Sequence, residues 1–343
     1  MKLYGFVLKM AVLLFCVQST TNYAVAESQT EDENAIVLTF LGTGAPRPSM
    51  KRFGPTIMVE AGEHRFLVDA GWGVRERLYM VGGFKLLTGI EHILITHLHF
   101  DHTIGLADIW LTGWLYGRRV PLNVMGPPGI QSMLENTARA FEWDLENRRL
   151  VGVPMQGTEL NSIELEPGVF FDKDGLKLTA FEVEHKPVNK QTGKTIQQVG
   201  LALGYRVDYK GRSVVFSGDT RPSSELIKHS QNVDVLIHET QVPSPGNSRE
   251  AILANVSLSV HTTPQQAGEI FNQTKPRLAV FSHIIPPNRT EEEIISATRP
   301  VYDGPLRVAH DFMKITIGEE ISFSEVTIIK DEAFEKSEVF DKK

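Results

Sequence analysis

The sequence has almost no cysteine. Cys16 is the only one among the 343 residues, and it lies in the apolar run Met10–Val17. This run follows two lysines and precedes the small-residue triplet Ala24–Ala26, which is the pattern of a secretory signal peptide over residues 1–26. Without that segment the mature chain has no thiol, so disulfides and cysteine-bound metals are excluded. The protein is therefore expected to be periplasmic or secreted.

Long apolar runs and an excess of positive charge are also missing. The N-terminal run is far shorter than the roughly 20 residues of a membrane span, so no span is expected after signal removal. The chain carries 35 Lys and Arg against 42 Asp and Glu, a net charge of −7, which becomes −9 when the two signal lysines are lost. An acidic surface attracts polyphosphate weakly, so nucleic acid is not expected as a partner.

The densest cluster of chemically reactive side chains consists of His97, His99, Asp101 and His102, directly after the largely apolar run 92–96. That run has the length and β-branched content of a buried strand, so the cluster lies where a strand ends and a loop begins. Residues 97 and 99 project the same way from an extended chain, toward one ion, and the two later residues project toward a second. A solvated polar turn is the disfavoured alternative, because these groups are costly to pack together without a cation.

Other segments complete a pattern that resembles the metallo-β-lactamase superfamily. Thr96–His102 matches its His-x-His-x-Asp-His signature, and Leu41–Pro46 and Val68–Gly71 resemble the turns after the first and third strands of that fold. The remaining signature residues follow in the expected order, at His185, Asp219 and His283. The resemblance covers about residues 36–317.

Two later motifs indicate the branch of the superfamily. His238–Thr240 resembles the His-Glu element of ribonuclease Z and its relatives, and His261–Thr263 resembles their His-Ser/Thr-Thr loop. Secreted arylsulfatase-type hydrolases share this branch. The resemblance implies that His261 donates to the leaving group or to the developing oxyanion, that Glu239 orients it, and that Asp101 takes part in catalysis besides binding metal.

The resemblance also implies a binuclear metal centre with seven protein ligands. The first ion would be bound by His97, His99 and His185, the second by Asp101, His102 and His283, with Asp219 bridging the two. Zinc suits imidazole and oxygen ligands, and manganese or iron in one position is the alternative. Two ions about 3.5–4 Å apart can hold a hydroxide for hydrolysis at neutral pH.

The expected fold is α/β (α+β), the four-layer αββα sandwich of this superfamily, in one domain over residues 36–320. A flexible tail at 27–35 precedes the domain, and a C-terminal extension at 321–343 follows it. The predicted strands are 36–41, 56–60, 65–69, 91–96, 122–125, 176–184, 200–208, 213–216, 233–237, 278–281 and 314–317. The predicted helices are 104–116, 130–141, 264–271 and 291–298.

The predicted reaction is hydrolysis of a small anionic ester, of the arylsulfatase or phosphodiesterase type. Ribonuclease Z grips tRNA with a basic arm, but residues 130–184 hold 11 acidic against 5 basic side chains. Lys186, Lys190 and Lys194 form a polar segment that steers an anion or is simply solvated. The expected partner is a small molecule, with nucleic acid disfavoured and a homodimer left open.

Three alternatives stay open at this point. The first is a ribonuclease Z-type endonuclease that cleaves at the 3′ end of tRNA, which the location of the mature protein would distinguish. A lactonase or β-lactamase fits less well, because a bridging Asp219 matches the phosphodiester and sulfate-ester branch better. A non-catalytic metal-binding module would hold metals and turn over no ester.

Overall fold

The computed structural model describes residues 32–186 and 201–329. The predicted signal peptide, residues 27–31 of the predicted tail, Lys190, Lys194, and residues 330–343 of the predicted extension lie outside the described residues.

Within the described residues, the first sheet has eight strands. In spatial order they are β15 (Ile321–Glu325), β14 (Met313–Ile317), β1 (Ile36–Gly42), β2 (Thr56–Ala61), β3 (His64–Val68), β4 (His92–Leu94), β5 (Leu122–Gly126) and β6 (Leu160–Glu164). Pairing is antiparallel from β15 to β3 and parallel from β3 to β6. The carboxyl ends of β3 and β4 therefore meet at one edge of the sandwich.

The second sheet has seven strands in the described part of the chain. In spatial order they are β13 (Leu306–Val308), β12 (Leu278–Ile285), β11 (Val235–Gln241), β10 (Arg212–Phe216), β9 (Leu203–Tyr209), β8 (Leu176–Glu182) and β7 (Gly168–Lys173). Strands β10 to β13 are parallel, whereas β7 to β10 pair antiparallel. The carboxyl ends of β10, β11 and β12 thus lie together, at the side where loops can carry functional groups.

Nine helices flank these sheets within the described ranges. They are α1 (Val74–Thr88), α2 (Phe100–Thr103), α3 (Leu106–Leu115), α4 (Ile130–Ala140), α5 (Glu142–Leu150), α6 (Ser224–His229), α7 (Arg249–Ala254), α8 (Pro264–Thr274) and α9 (Glu291–Thr298). Both α8 and α9 begin with a capping box, in which Thr263 and Thr290 accept a backbone N–H that would otherwise be unpaired. None of the helices in residues 32–186 and 201–329 is long and apolar enough to cross a bilayer.

Three buried apolar clusters define four layers. The central cluster lies between the sheets and includes Leu38, Val59 and Val207. A second joins α1, α3 and α4 to the outer face of the first sheet, and a third joins α6, α8 and α9 to the second sheet. Helix, sheet, sheet and helix follow one another, so the predicted αββα sandwich is confirmed.

Several elements differ from the prediction. The helix predicted at 104–116 corresponds to α3, which is slightly shorter, a separate short helix, α2, precedes it, and the strand predicted at 91–96 spans only His92–Leu94 as β4. Helices α1, α2, α5, α6 and α7 and strands β6, β7, β13 and β15 were not predicted. Strand β15 follows the expected domain end at residue 320 and pairs with β14, so the first sheet continues into the predicted extension.

A buried ion pair fastens the loops around β1 to helix α1. Asp311 accepts hydrogen bonds from the backbone N–H groups of Thr43 and Phe53, and Arg77 Nη2 lies 2.9 Å from its Oδ2. The Arg77 guanidinium lies 3.7 Å from the ring centroid of Phe53 and 4.3 Å from that of Phe312. The Asp311 carboxylate therefore joins its own loop to the segments that carry Thr43, Phe53 and Arg77.

We expect Asp311→Ala to lower the free energy of unfolding by about 3–5 kcal/mol, because it leaves a buried guanidinium without its partner. Urea denaturation measures the change. Arg75→Ala is the control, since Arg75 is 41% exposed and its pairs with Glu76 and Asp108 lie at the surface. Such pairs contribute about 1 kcal/mol or less. Equal losses for both variants would contradict the role given to the Asp311 network.

Candidate metal centre

Four strand ends bring the predicted ligands to one edge of the sandwich. The first motif follows β4, His185 follows β8, Asp219 follows β10, and His283 lies near the end of β12. Just before Asp219, Gly218 has a φ of +57°, and a Cβ there would meet the Leu203 carbonyl oxygen at 2.7 Å. Glycine is therefore required for the turn that aims this carboxylate.

A β-bulge places His283. In the pairing of β11 with β12, Phe281 is opposite His238 and Ile284 is opposite Thr240, so Ser282 and His283 together face one residue, Glu239. His283 has a φ of +47°, a conformation that side chains rarely adopt. Bulges of this kind redirect side chains beside functional sites.

The first group of donors consists of His97, His99, His185 and Asp219. His99 Nδ1 lies 2.9 Å from His97 Nε2 and 3.2 Å from His185 Nε2. Asp219 Oδ2 lies 3.8 Å from His97 Nε2 and 3.9 Å from His185 Nε2. Three ring nitrogens and one carboxylate oxygen therefore converge on one point, as in a tetrahedral zinc site.

The second group consists of Asp101, His102 and His283. The Nε2 atoms of the two histidines are 3.2 Å apart, and Asp101 Oδ2 lies 3.5 Å from His102 Nε2 and 3.4 Å from His283 Nε2. Asp219 reaches this group as well, with Oδ2 3.5 Å from His102 Nε2 and Oδ1 3.5 Å from His283 Nε2. One carboxylate thus contacts both groups.

The electrostatics of these donors fit cations. Burial lowers the pKa of His97, His99 and His185, the last to about 4, so their imidazoles are neutral and offer lone pairs. Burial also opposes a charge on Asp219, but His283 and His102 hold its pKa well below the ordinary value. The first group therefore offers three neutral imidazoles beside an ionised carboxylate, which is a donor set that divalent zinc takes.

Asp69 is a residue of the site to which the sequence analysis gave no role. It follows β3 with a φ of +62°, and its Oδ1 accepts the Thr96 N–H at 2.8 Å. His102 Nδ1 lies 2.8 Å from Asp69 Oδ2, which fixes the ring so that Nε2 faces the second group. Burial lowers the pKa of His102, but Asp219 and Asp69 raise it well above its usual range. The sequence did offer one signal for this role, a carboxylate directly after a buried strand.

Glu239 and His261 form a hydrogen-bonded pair beside the ligands. Glu239 Oε1 lies 3.0 Å from His261 Nδ1 and accepts the N–H groups of Thr220 and Thr262 at 3.2 and 3.1 Å. Burial opposes protonation of His261, but Glu239 and then Asp219 raise its pKa to about 9. This raised pKa favours the protonated imidazole, which can donate a proton. His261 Nδ1 is 3.9 Å from Asp219 Oδ2, so the pair adjoins the ligands.

The structure brings together every residue that the sequence predicted for the site. The seven predicted ligands form the two groups, and His261 and Glu239 contact them or their neighbours. Lys186, from the segment expected either to steer an anion or to be solvated, pairs with Glu182 at 2.6 Å. Roles of the individual residues stay predictions.

Comparison with known proteins identifies relatives of the whole fold. A family model described as "Beta-lactamase superfamily domain" matches residues 64–284. A protein named ribonuclease Z from Mycobacterium bovis (strain BCG / Pasteur 1173P2) is 29% identical over 82% of this chain and 98% of its own length. Ribonuclease Z from Mycobacterium sp. (strain KMS) is 30% identical over 74% of this chain and 85% of its own.

Solved structures agree on the fold. The metallo-β-lactamase fold protein YhfI from Bacillus subtilis has a TM-score of 0.60 at 16% identity, covering 84% of this chain and all of that one. The short form of human tRNase Z has a TM-score of 0.58 at 23% identity, covering 82% of this chain and 99% of that one. At these identities the likeness concerns the fold alone.

Two expectations from the sequence are wrong. A small anionic ester was the expected substrate and nucleic acid a disfavoured partner, but relatives matched over most of the chain carry the name ribonuclease Z. The physical reason is that net charge averages the whole surface, whereas recognition of one phosphate depends on groups close to the site. The excess of acidic over basic side chains in residues 130–184 therefore does not exclude an RNA substrate.

Proposed function

The chain belongs to the β-lactamase superfamily of metal-dependent hydrolases, and we propose that it cleaves phosphodiester bonds in RNA, as a ribonuclease Z-type endonuclease acting on precursor tRNA. Support for the reaction class comes from the ribonuclease Z relatives, which extend over more than four-fifths of this chain.

The observation that carries the proposal is the position of Asp219 between two groups of donors. Its two oxygens lie within 3.5–3.9 Å of ring nitrogens from both groups. A carboxylate shared in this way fits two ions held close together, the arrangement that serves in-line displacement at phosphorus. We propose two zinc ions, bound by His97, His99 and His185 and by Asp101, His102 and His283, with Asp219 between them.

When bound, the two ions would supply a water of lowered pKa and positive charge near the phosphate. The protein's own groups would orient the metal-binding rings and protonate the leaving oxygen. Asp69 holds the His102 ring through Nδ1, and the Val260 carbonyl oxygen, 2.9 Å from His185 Nδ1, holds the His185 ring. Fixed rings keep their donor atoms directed at the site without rearrangement.

His261 is the proposed proton donor to the leaving oxygen. Its Nδ1 is occupied by Glu239, so Nε2 is the atom that can face substrate. Phosphodiester cleavage expels an alkoxide of high pKa, which requires a proton as the bond breaks. Glu239 stabilises the protonated imidazole and fixes its orientation, the role of a positioning residue.

Incubation with a precursor tRNA carrying a 3′ trailer tests the proposal. The metal-loaded protein should release the trailer by one cut, with a phosphate on one fragment and a hydroxyl on the other, mapped by sequencing the ends. A chelator should abolish the cut, and added zinc should restore it. An aryl sulfate and an unstructured RNA serve as comparison substrates. Metal-loaded protein that leaves every precursor tRNA intact would refute the assignment.

Export over residues 1–26 is a separate prediction about the location of the protein. Fractionation of cells expressing the full chain would test it, with N-terminal sequencing to locate cleavage after Ala26.

A further inference from the structure

The entrance to the metal centre can be located from burial. Six of the seven predicted ligands are buried, with 5% or less of their surface exposed. His99 alone among the seven is solvent-exposed. Solvent therefore reaches the centre on the side of His99, and the backbone next to His99 forms the rim of this entrance.

Phe100, the next residue, places a large aromatic ring at that rim. Its relative exposure is 62%, and it separates a proposed ligand of the first ion, His99, from one of the second, Asp101. Contiguous exposed apolar surface marks contact or ligand-binding sites, whereas a single exposed apolar side chain is common, so the surroundings of Phe100 decide its significance. Phe100 is thus adjacent in sequence to one member of each donor group.

The ring is carried by a fixed turn. Phe100 begins α2, its carbonyl oxygen accepts the Ile104 N–H at 2.8 Å, and the Thr103 hydroxyl donates to the His99 carbonyl oxygen at 3.0 Å. Ile104 lies one turn later on the same helical face and is 56% exposed. Phe100 and Ile104 together form an apolar ledge, while Asp101 and His102 on the same helix point inward and are buried.

We propose that Phe100 stacks on a nucleobase of the RNA, that of a nucleotide flanking the scissile phosphate, with Ile104 extending the contact. This inference rests on the proposed function. An RNA strand at a cleavage site exposes its bases, and proteins bind such bases by stacking them on aromatic rings. Every base has a π face, so the contact holds the strand without selecting its sequence. The scissile phosphate would lie at the ions, which His99 and Asp101 on either side of Phe100 help to bind.

The test combines protein variants with altered substrates. Phe100→Leu removes the aromatic ring and keeps an apolar side chain, and Phe100→Trp restores a ring. Trp143→Leu is the matched control, because Trp143 is an exposed aromatic residue, 77% exposed, on α5 and outside the donor groups. Each variant is assayed on precursor tRNA with normal bases, and on two versions that are abasic at one or the other nucleotide flanking the cut.

We expect Phe100→Leu to raise KM roughly 5- to 100-fold on the normal substrate, the effect of one lost base–aromatic stack. One abasic substrate should show the same rise with the wild-type protein, and Phe100→Leu should then add nothing. Phe100→Trp should restore the wild-type KM, and Trp143→Leu should not change it. Metal content should be the same in all variants.

A binding measurement gives a readout besides activity. Precursor tRNA with 2-aminopurine at the flanking position is mixed with metal-loaded protein in which His261→Ala slows cleavage. Its fluorescence should fall on binding to this protein and to the same protein with Trp143→Leu added. Binding to the same protein with Phe100→Leu added should leave the fluorescence high. Cleavage by wild type with an unchanged KM for Phe100→Leu would overturn the stacking inference alone. A wild-type protein that cleaves no RNA would overturn the proposed function and this inference with it.

Discussion

Asp219→Asn should lower the rate of RNA cleavage by about 10³-fold or more. The amide keeps the shape of the carboxylate but loses the charge that both donor groups share. Metal ions contribute several kcal/mol to transition-state stabilisation, and each ~1.4 kcal/mol corresponds to a factor of ten in rate. Bound zinc should fall from two equivalents to one or fewer, measured by elemental analysis after dialysis.

The control for this change is Asp172→Asn, since Asp172 is an exposed carboxylate on edge strand β7. It should keep two equivalents of zinc and full activity. Retention of two equivalents and near wild-type turnover by Asp219→Asn would rule out a bridging role. Loss of turnover with unchanged metal content would instead place Asp219 in contact with substrate.

Much of the site was predictable because its signals are local. His97, His99, Asp101 and His102 follow a buried strand within six residues, so the sequence itself places them at one strand end. His185, Asp219 and His283 are single residues far apart in sequence, and only the family resemblance joined them to the motif. The structure supplies the physical reason, since four strands end at the same edge.

The elements that were not predicted lack a clear periodic signal. Helix α1 contains Gly82 and Gly83, whose backbone angles are not helical, and this kink interrupts the pattern of its buried residues. Strands β6 and β7 are sheet edges with few buried side chains, so they show little alternation of apolar and polar residues. Asp69 stands directly after a buried strand, which marks it as a candidate, but its role depends on a tertiary contact with His102 that its position in the sequence does not specify.

His261→Ala should retain both zinc ions and reduce turnover about 10²- to 10⁴-fold, the usual contribution of a positioned proton donor. His261 lies outside both donor groups, and its ring is held by Glu239 rather than by the ligands. The loss should therefore appear in kcat, with little change in KM or in bound zinc. Elemental analysis and steady-state kinetics on the same preparation separate these quantities.

The leaving group decides whether this loss reflects proton donation. A substrate with sulfur in place of the leaving oxygen expels a thiolate, which is stable without a proton, so His261→Ala should cleave it at nearly the wild-type rate. Glu239→Gln should also lower turnover of the oxygen substrate, but by a smaller factor. The amide still accepts a hydrogen bond from His261, although the negative charge that stabilises the protonated imidazole is gone. The Glu239 carboxylate also holds the backbone N–H groups of Thr220 and Thr262, so the thermal stability of this variant must be measured beside its kinetics. The contrary outcome is that His261→Ala slows the cleavage of substrates with oxygen and sulfur leaving groups by the same factor. In that case His261 contributes through binding or orientation, and the proton must come from another group or from solvent.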